Sequence, residues 1–130
     1  MDIVEIMGGT TEQGFSLYAI QVNNRCLVQE YIDGLGVKYQ TQIINLFHQV
    51  TTTGLPKNEE RFRPIGDKIY ELKTRNGVRV LCFFAGPILR KTLVLTHGFL
   101  KPGRKIFQRE KNKAMNWHQE YTADEVNIIS

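Results

Sequence analysis

The sequence predicts an α+β domain in which a mainly antiparallel four-stranded sheet is packed by an N-terminal helical hairpin and followed by a C-terminal helix. Apolar residues recur with a helical period in the first half of the chain and alternate with a period of two in the second half. The pair Asn76-Gly77 separates two alternating segments, and Asn-Gly is typical of a type I′ hairpin turn. At 130 residues we expect a single domain, with residues 1–13 and 122–130 flexible.

The first half of the chain predicts one strand and two helices. Residues 15–22, FSLYAIQV, are rich in aromatic and β-branched residues and predict the first strand. Asn23-Asn24 then indicates a helix start, because an Asn side chain accepts backbone N–H groups of the first turn. Gly34 and Gly36 separate the two helices of the predicted hairpin. Their apolar stripes are Leu27, Val28, Tyr31, Ile32 and Leu35, then Tyr39, Ile43, Ile44, Phe47 and Val50.

The second half predicts three strands and a helix. After a polar loop at residues 57–67, the segment 68–74 alternates apolar and charged side chains. Residues 78–84, VRVLCFF, are apolar almost throughout, as expected of a central strand that is buried on both faces. Residues 91–100 form the last predicted strand, and a charged helix with a thin apolar stripe is expected over residues 105–121.

Positive charge is concentrated in the second half of the chain. Fifteen of the seventeen lysines and arginines lie in residues 55–121, together with only six acidic residues. Such a basic surface is expected to bind a polyanion, and nucleic acid is the commonest one in a cell. The two cysteines form no CxxC pair and the three histidines are widely spaced, so we expect no metal and no cofactor. With neither a secretory signal nor a membrane span in the sequence, we expect a cytoplasmic protein without a membrane partner.

Four short motifs in the second half resemble the RelE/HigB superfamily of toxins, most closely its phage-derived, HigB-like branch. They are Gly66-Asp67, Tyr70-Glu71-Leu72-Lys73, Arg79-Val80-Leu81 and His97-Gly98-Phe99-Leu100-Lys101. The resemblance spans residues 15–121 and implies a RelE/ParE-like fold. It also implies the toxin of a type II toxin–antitoxin module, an endoribonuclease that cuts mRNA on the ribosome without a metal and so blocks translation. Its expected partners are the ribosome, mRNA and a cognate antitoxin of the helix-turn-helix type.

The chain departs from the pattern of this family at two places. Lys73 stands where the family usually has Arg, which changes the cation expected at the scissile phosphate. After the last strand, Lys101-Pro102-Gly103-Arg104-Lys105 replaces the usual Lys-Lys-Thr-x-Lys, and Pro and Gly alter the backbone of that loop.

Five residues are candidates for catalysis. Metal-free RNA cleavage uses the ribose 2′-OH as nucleophile, and it needs a base, cations near the phosphate and an acid for the leaving oxygen. Clustered cations can lower the pKa of a neighbouring lysine enough for proton transfer near pH 7. The resemblance assigns charge stabilisation to Lys73 and Arg79 and proton transfer to Lys101 or Lys105, with His97 as a further candidate.

Each of these candidates also has a structural interpretation. Arg79 can form a buried ion pair with Glu71 or Asp67, and Lys73 can be a solvated strand end. Lys101 and Lys105 can belong to a solvated basic loop.

Strand alternation places His97 with Leu93, Leu95 and Phe99, which is typical of a histidine packed in the core. Core packing is also the alternative for Phe99 as a side chain that stacks on a base. The other predicted RNA contacts are basic residues that would hold phosphates without taking part in the chemistry, namely Lys57, Arg61, Arg63 and Arg104.

Two other functions fit the same sequence. A ParE-like relative would keep the fold and inhibit DNA gyrase, which requires no catalytic residues. A non-catalytic nucleic-acid-binding protein would use the basic surface for affinity alone.

Overall fold

The computed structural model describes residues 1–129 and places eight strands in one mixed sheet with helices on both faces. The strands are β1 (Asp2–Met7), β2 (Ser16–Val22), β3 (Arg25–Cys26), β4 (Phe62–Gly66), β5 (Ile69–Lys73), β6 (Val78–Phe84), β7 (Thr92–Leu100) and β8 (Asn127–Ile129). The helices are α1 (Leu27–Asp33), α2 (Val37–Thr52) and α3 (Arg104–Ala123). The strand order is β4-β5-β6-β7-β2-β1-β8, and β3 pairs with β2.

The predicted fold, a mainly antiparallel four-stranded sheet with an N-terminal helical hairpin, is wrong. The sheet has eight strands, and two of its pairs, β2–β7 and β1–β8, are parallel. Three strands precede the helices, so the helices are not N-terminal. They pack on the sheet, α1 against β2 and β7 and α2 against β1 and β2. The architecture is an α+β fold with three helices.

The missed strands at the two ends of the chain pair with each other. The sequence predicted no strand in residues 1–13 or 122–130, although DIVEIM in β1 contains the β-branched residues Ile3, Val4 and Ile6. Ile3 in β1 is fully buried, which anchors this strand in the core. β8 runs parallel to β1, with Ile128 opposite Ile3. Ser130, the last residue of the predicted flexible end, lies outside the described residues.

The other two strands that the sequence did not predict, β3 and β4, are each joined to a neighbouring strand by a two-residue turn. Asn23 and Asn24 have φ values of 52° and 63°, so they form the turn between β2 and β3 and do not start a helix. Asp67 and Lys68, with φ values of 56° and 66°, join β4 to β5 in the same way. Pro64 is tolerated in β4 because this strand is at the edge of the sheet, where one row of backbone N–H groups has no partner strand.

The predicted hairpin at Asn76-Gly77 is present, but its turn is not type I′. Only Gly77, with φ of 90°, has a positive φ of the two residues. The loop instead closes with hydrogen bonds from Thr74 N to Val78 O, at 2.9 Å, and from Gly77 N to Thr74 O, at 3.2 Å. The register that results sets Lys73 opposite Arg79.

The core lies on both faces of the sheet. One cluster joins α1 and α2 to sheet residues such as Val80 and Leu95, and the other joins α3 to residues such as Leu81 and Phe83. β6 contributes to both clusters from alternating positions, which confirms that it is a central strand. No helix in residues 1–129 combines the length and the apolar character needed to span a bilayer.

A bulge in β7 changes the face on which His97 lies. Between the pairs Gly98–Val80 and Leu95–Cys82, β7 has two residues and β6 has only Leu81. The extra residue reverses the alternation. Leu95 therefore packs with α1 and α2, whereas His97 is directed towards α3, and the predicted grouping of His97 with Leu95 is wrong.

The glycine of the His97-Gly98-Phe99 motif makes room for an aromatic ring of α1. A Cβ atom at Gly98 would lie 2.4 Å from Cδ2 of Tyr31. We expect Gly98→Ala to lower the free energy of unfolding by about 1–3 kcal/mol, because the ring or the strand must move. Urea denaturation measures this loss. Gly34→Ala is the control, because a Cβ atom there would lie 3.6 Å from its nearest atoms, at ordinary van der Waals distance. An equal loss of stability in both variants would contradict the close packing of Gly98 against Tyr31.

A candidate nucleic-acid interface

A cleft of about 420 Å³ opens where the β5–β6 turn, the segment after β7 and the loop before β4 meet. We call it the basic cleft. Its lining side chains include five cations and a single acid, so its electrostatic potential favours an anion. The cations are Arg61, Lys73, Arg75, Arg79 and Lys101, the acid is Glu60, and Asn58, Thr74 and Gly77 complete the lining.

The β5–β6 hairpin brings Lys73 and Arg79 together. They are directly opposite each other in the ladder, so their side chains leave the same face of the sheet. Ile69 on β5 and Leu81 on β6 have the same parity and pack in the α3 cluster, which identifies that face. The hairpin therefore presents two cations side by side at the end of the sheet.

Two further segments add cations to the cleft. The N–H group of Lys73 donates to the carbonyl of Arg61 at 2.8 Å, which holds the loop before β4 against β5. This loop is itself a turn, in which the carbonyl of Asn58 accepts the N–H group of Arg61 at 2.9 Å. Lys101 follows β7 and lies beside Gly77, where an added Cβ would come 3.1 Å from the Cβ of Lys101. Well-separated parts of the chain thus converge on one cleft.

A fully buried carboxylate supports one wall of the cleft. Arg79 Nη1 donates to Glu71 Oε2 at 3.0 Å, and Arg63 Nε donates to Glu71 Oε1 at 3.0 Å. Asp67, the other partner considered for Arg79, instead pairs with Lys111 at 2.9 Å. Two guanidinium groups share one carboxylate, so this cluster keeps a positive charge in excess.

Arg79 both pairs with Glu71 and lines the basic cleft. Its side chain is 10% exposed, and its guanidinium carbon lies 5.9 Å from the centre of the Phe107 ring, within cation–π range. Its Nε is buried and has no hydrogen-bond partner in residues 1–129. A guanidinium has five N–H donors, so Arg79 is held in place and still has donors to offer.

The remaining cations of the cleft are not neutralised by carboxylates. Within residues 1–129, neither Lys73, Arg75 nor Lys101 has a carboxylate oxygen within 4.0 Å. Arg75 and Lys101 are exposed and Lys73 is half-buried, so all three can meet an anion from solvent. The arrangement can bind a phosphate group and stabilise additional negative charge on it.

His97 lies outside the basic cleft, in a hydrogen-bonded pair with α3. Its Nε2 is 2.7 Å from Glu110 Oε2, and its Nδ1 is 3.0 Å from Thr96 Oγ1. Burial lowers the pKa of the His97 imidazole below its usual value; Glu110 opposes this shift, and Lys113 adds to it. His97 borders a separate cavity of about 530 Å³, which is also lined by Trp117.

The lowered pKa of His97 predicts how stability changes with pH. Near and below the usual pKa of about 6.5 the unfolded chain binds protons more readily at this histidine than the folded chain does, so stability falls as pH falls from 7 to 5.5. We expect His97→Gln to remove part of this fall, at most about 1.4 kcal/mol per pH unit. Chemical denaturation of both proteins across this range measures the difference, and an unchanged slope would contradict the pKa shift.

Other predicted contacts lie outside the basic cleft as well. Lys57 is exposed in the loop before β4, and Arg104 and Lys105 are exposed in the first turn of α3. Arg63 does not line the cleft and forms an ion pair with Glu71. Phe99 packs edge-on against Phe107 of α3, at 6.4 Å between ring centres, as the core interpretation expects.

Sequence reasoning missed Arg75 as a member of the cleft. The position of Arg75 in the sequence could have indicated this role. Arg75 lies in the turn between Lys73 and Arg79, and the side chains of a hairpin turn point away from the end of the sheet. Asn58 and Thr74 were also missed; each lies in a turn, where it accepts hydrogen bonds from backbone N–H groups.

The comparisons with known proteins locate the chain in a family. A family model described as phage derived protein Gp49-like (DUF891) matches residues 30–118, more than half of the chain. The matched range contains the β5–β6 hairpin and every residue that lines the basic cleft. A search of curated proteins finds no match. The chain therefore belongs to the phage-derived Gp49-like family, a family of the RelE/HigB-like toxin type.

Proposed function

We propose that this protein is the toxin of a type II toxin–antitoxin module and that it cuts mRNA on the ribosome without a metal ion. The convergence of Lys73, Arg79 and Lys101 in the basic cleft supports this most strongly, because three predicted catalytic cations come from separate segments. Family membership supports the toxin type. Translation stops in the cytoplasm when the message is cut.

The chemistry would be attack of a ribose 2′-OH on the adjacent phosphorus. The hydroxyl proton would pass to solvent water, a 2′,3′-cyclic phosphate would form, and the 5′-oxygen would leave with a proton donated in the cleft. The phosphate gains negative charge in the transition state. Lys73 and Arg79, adjacent across the hairpin, would stabilise that charge. Arg61 and Arg75 at the rim would hold the flanking phosphates, which need only charge and reach.

Lys101 is the proposed proton-transfer group. It lines the cleft with Lys73, whereas Lys105 and His97 do not. It is exposed and free of a carboxylate among residues 1–129, so its ammonium can reach the leaving 5′-oxygen and donate a proton there.

The same cleft suggests how the toxin is held inactive. Arg75 and Lys101 of the cleft are exposed to solvent at one end of the sheet. An antitoxin that covers this end with an acidic segment would neutralise the site, and the helix-turn-helix antitoxin implied by the family type would carry such a segment.

The test is to incubate the purified chain with translating ribosomes and map the new RNA ends. The proposal expects cuts within the message that carry a 2′,3′-cyclic phosphate, in the presence of a chelator. Intact message together with loss of gyrase supercoiling activity would favour the ParE-like function. If the message stays intact and the chain only binds RNA, the result would favour a non-catalytic nucleic-acid-binding protein.

A further inference from the structure

The basic cleft is lined by one acid among its five cations, and that acid is Glu60. Glu60 is exposed, so its side chain is accessible to a ligand that enters from solvent. Within residues 1–129, no lysine or arginine nitrogen lies within 4.0 Å of its carboxylate oxygens. A negative charge here opposes the binding of an anion by the surrounding cations. Neither an ion pair nor phosphate binding therefore accounts for Glu60.

The backbone of Glu60 is held beside Lys73, while its carboxylate is left free. The N–H group of Glu60 donates to Oδ1 of Asn58 at 2.8 Å, and its carbonyl accepts a hydrogen bond from Nη1 of Arg61 at 3.1 Å. The carbonyl of Arg61 in turn accepts the N–H group of Lys73 at 2.8 Å. The loop thus fixes the base of the Glu60 side chain next to the strand that carries Lys73.

The proposed chemistry lacks a side chain that accepts the first proton. A positioned base speeds the attack of a hydroxyl group, and carboxylates serve in this role. The arginines of the cleft stay protonated, and a lysine ammonium has no acceptor. The side-chain oxygens of Asn58 and Thr74 already accept backbone N–H groups. Among the side chains that line the cleft, Glu60 is the one suited to take up a proton.

We propose that Glu60 is the general base of the cleavage reaction, a role that rests on the proposed function. Its carboxylate takes the proton of the 2′-OH while that oxygen forms a bond to phosphorus. The bond from phosphorus to the 5′-oxygen breaks, and Lys101 gives this oxygen a proton. Glu60 then releases its proton to solvent water and Lys101 takes one up, so both groups return to their starting states.

Glu60→Gln and Glu59→Gln form a matched pair of variants. Both remove one negative charge from adjacent exposed residues of the same loop, but Glu59 does not line the cleft. In single-turnover cleavage on translating ribosomes, we expect Glu60→Gln to be slower than the wild type by about 10²- to 10⁴-fold and Glu59→Gln to match the wild type. Affinity for an RNA oligomer with 2′-methoxy groups, which cannot be cut, should not fall in Glu60→Gln, because the cleft loses its one acid.

A modified message separates the base from the acid. Sulfur replaces the bridging 5′-oxygen at the mapped cut site, and a thiolate leaves without a proton, so this message needs no acid. Lys101→Gln should therefore cut it about as fast as the wild type does. Glu60→Gln should remain slow on it, because the 2′-OH must still lose its proton.

Three results would overturn the role of Glu60 and leave the proposed nuclease in place. The first is a cleavage rate for Glu60→Gln equal to that of Glu59→Gln. The second is recovery of Glu60→Gln on the sulfur-containing message, which would place its action at the leaving group. The third is a rate loss matched by weaker binding of the 2′-methoxy RNA. If the wild type cuts no message, the proposed function fails, and the role of Glu60 fails with it.

Discussion

Lys73→Gln is expected to reduce the rate of mRNA cleavage about a hundredfold or more. Removal of a single group that stabilises transition-state charge typically lowers kcat by about 10² to 10³. Lys73 lies opposite Arg79 and has no carboxylate partner among residues 1–129, so its charge is available to the phosphate. The rate is measured by single-turnover cleavage in a translation reaction with the toxin in excess.

Lys57→Gln provides the matched control for this variant. Lys57 is also a lysine, but it is exposed and does not line the basic cleft, so its loss should change the rate little. Lys73→Gln should also keep the unfolding midpoint of the wild type, because Lys73 is half-buried and makes no ion pair within the described chain. Equal rates for the two variants would contradict a catalytic role for Lys73.

Glu71→Leu is expected to lower the free energy of unfolding by about 3–5 kcal/mol. Removal of one partner of a buried ion pair leaves the other charge without compensation. Arg79 is 10% exposed at its side chain and pairs with no other carboxylate among residues 1–129, whereas Arg63, at 39%, can turn to solvent. Urea denaturation at constant pH and salt measures the loss.

The double variant Glu71→Leu with Arg79→Met separates this buried charge from a general packing defect. It leaves no isolated charge in the α3 cluster, so most of the lost stability should return. Cleavage should stay low, because Arg79 is absent. Glu30→Gln, which breaks the exposed pair with Arg25, should change stability very little. A double variant no more stable than Glu71→Leu would show that Arg79 is not the source of the loss.

The sequence predicted those parts of the fold whose pattern is local. β6 was recognisable because its continuous apolar run reflects burial on both faces, and α2 because its apolar stripe is long. β1 and β8 were missed because short strands at the chain ends gain stability from partners far away in sequence. Asn23-Asn24 was misread because asparagine both caps helices and tolerates positive φ, and only the pairing of β3 with β2 decides between them.

The hairpin at Asn76-Gly77 was predictable, and so was the proximity of Lys73 to Arg79 across it. The exact register was not predictable, because the turn is wider than the type I′ turn that Asn-Gly indicates. The position of His97 was not predictable, since a one-residue bulge leaves no clear mark in the sequence and yet moves the side chain to the other face. The sharing of Glu71 by two arginines is also not predictable, because Arg63 lies in β4, where the sequence predicts a loop.

The most direct test of the account is a double-mutant cycle on cleavage with Lys73→Gln and Lys101→Gln. If both ammonium groups act on one phosphate, their effects are strongly coupled, and the double variant should be only slightly slower than the slower single variant. Two rate reductions that multiply in the double variant would show that Lys73 and Lys101 act independently, which would contradict a single catalytic cleft.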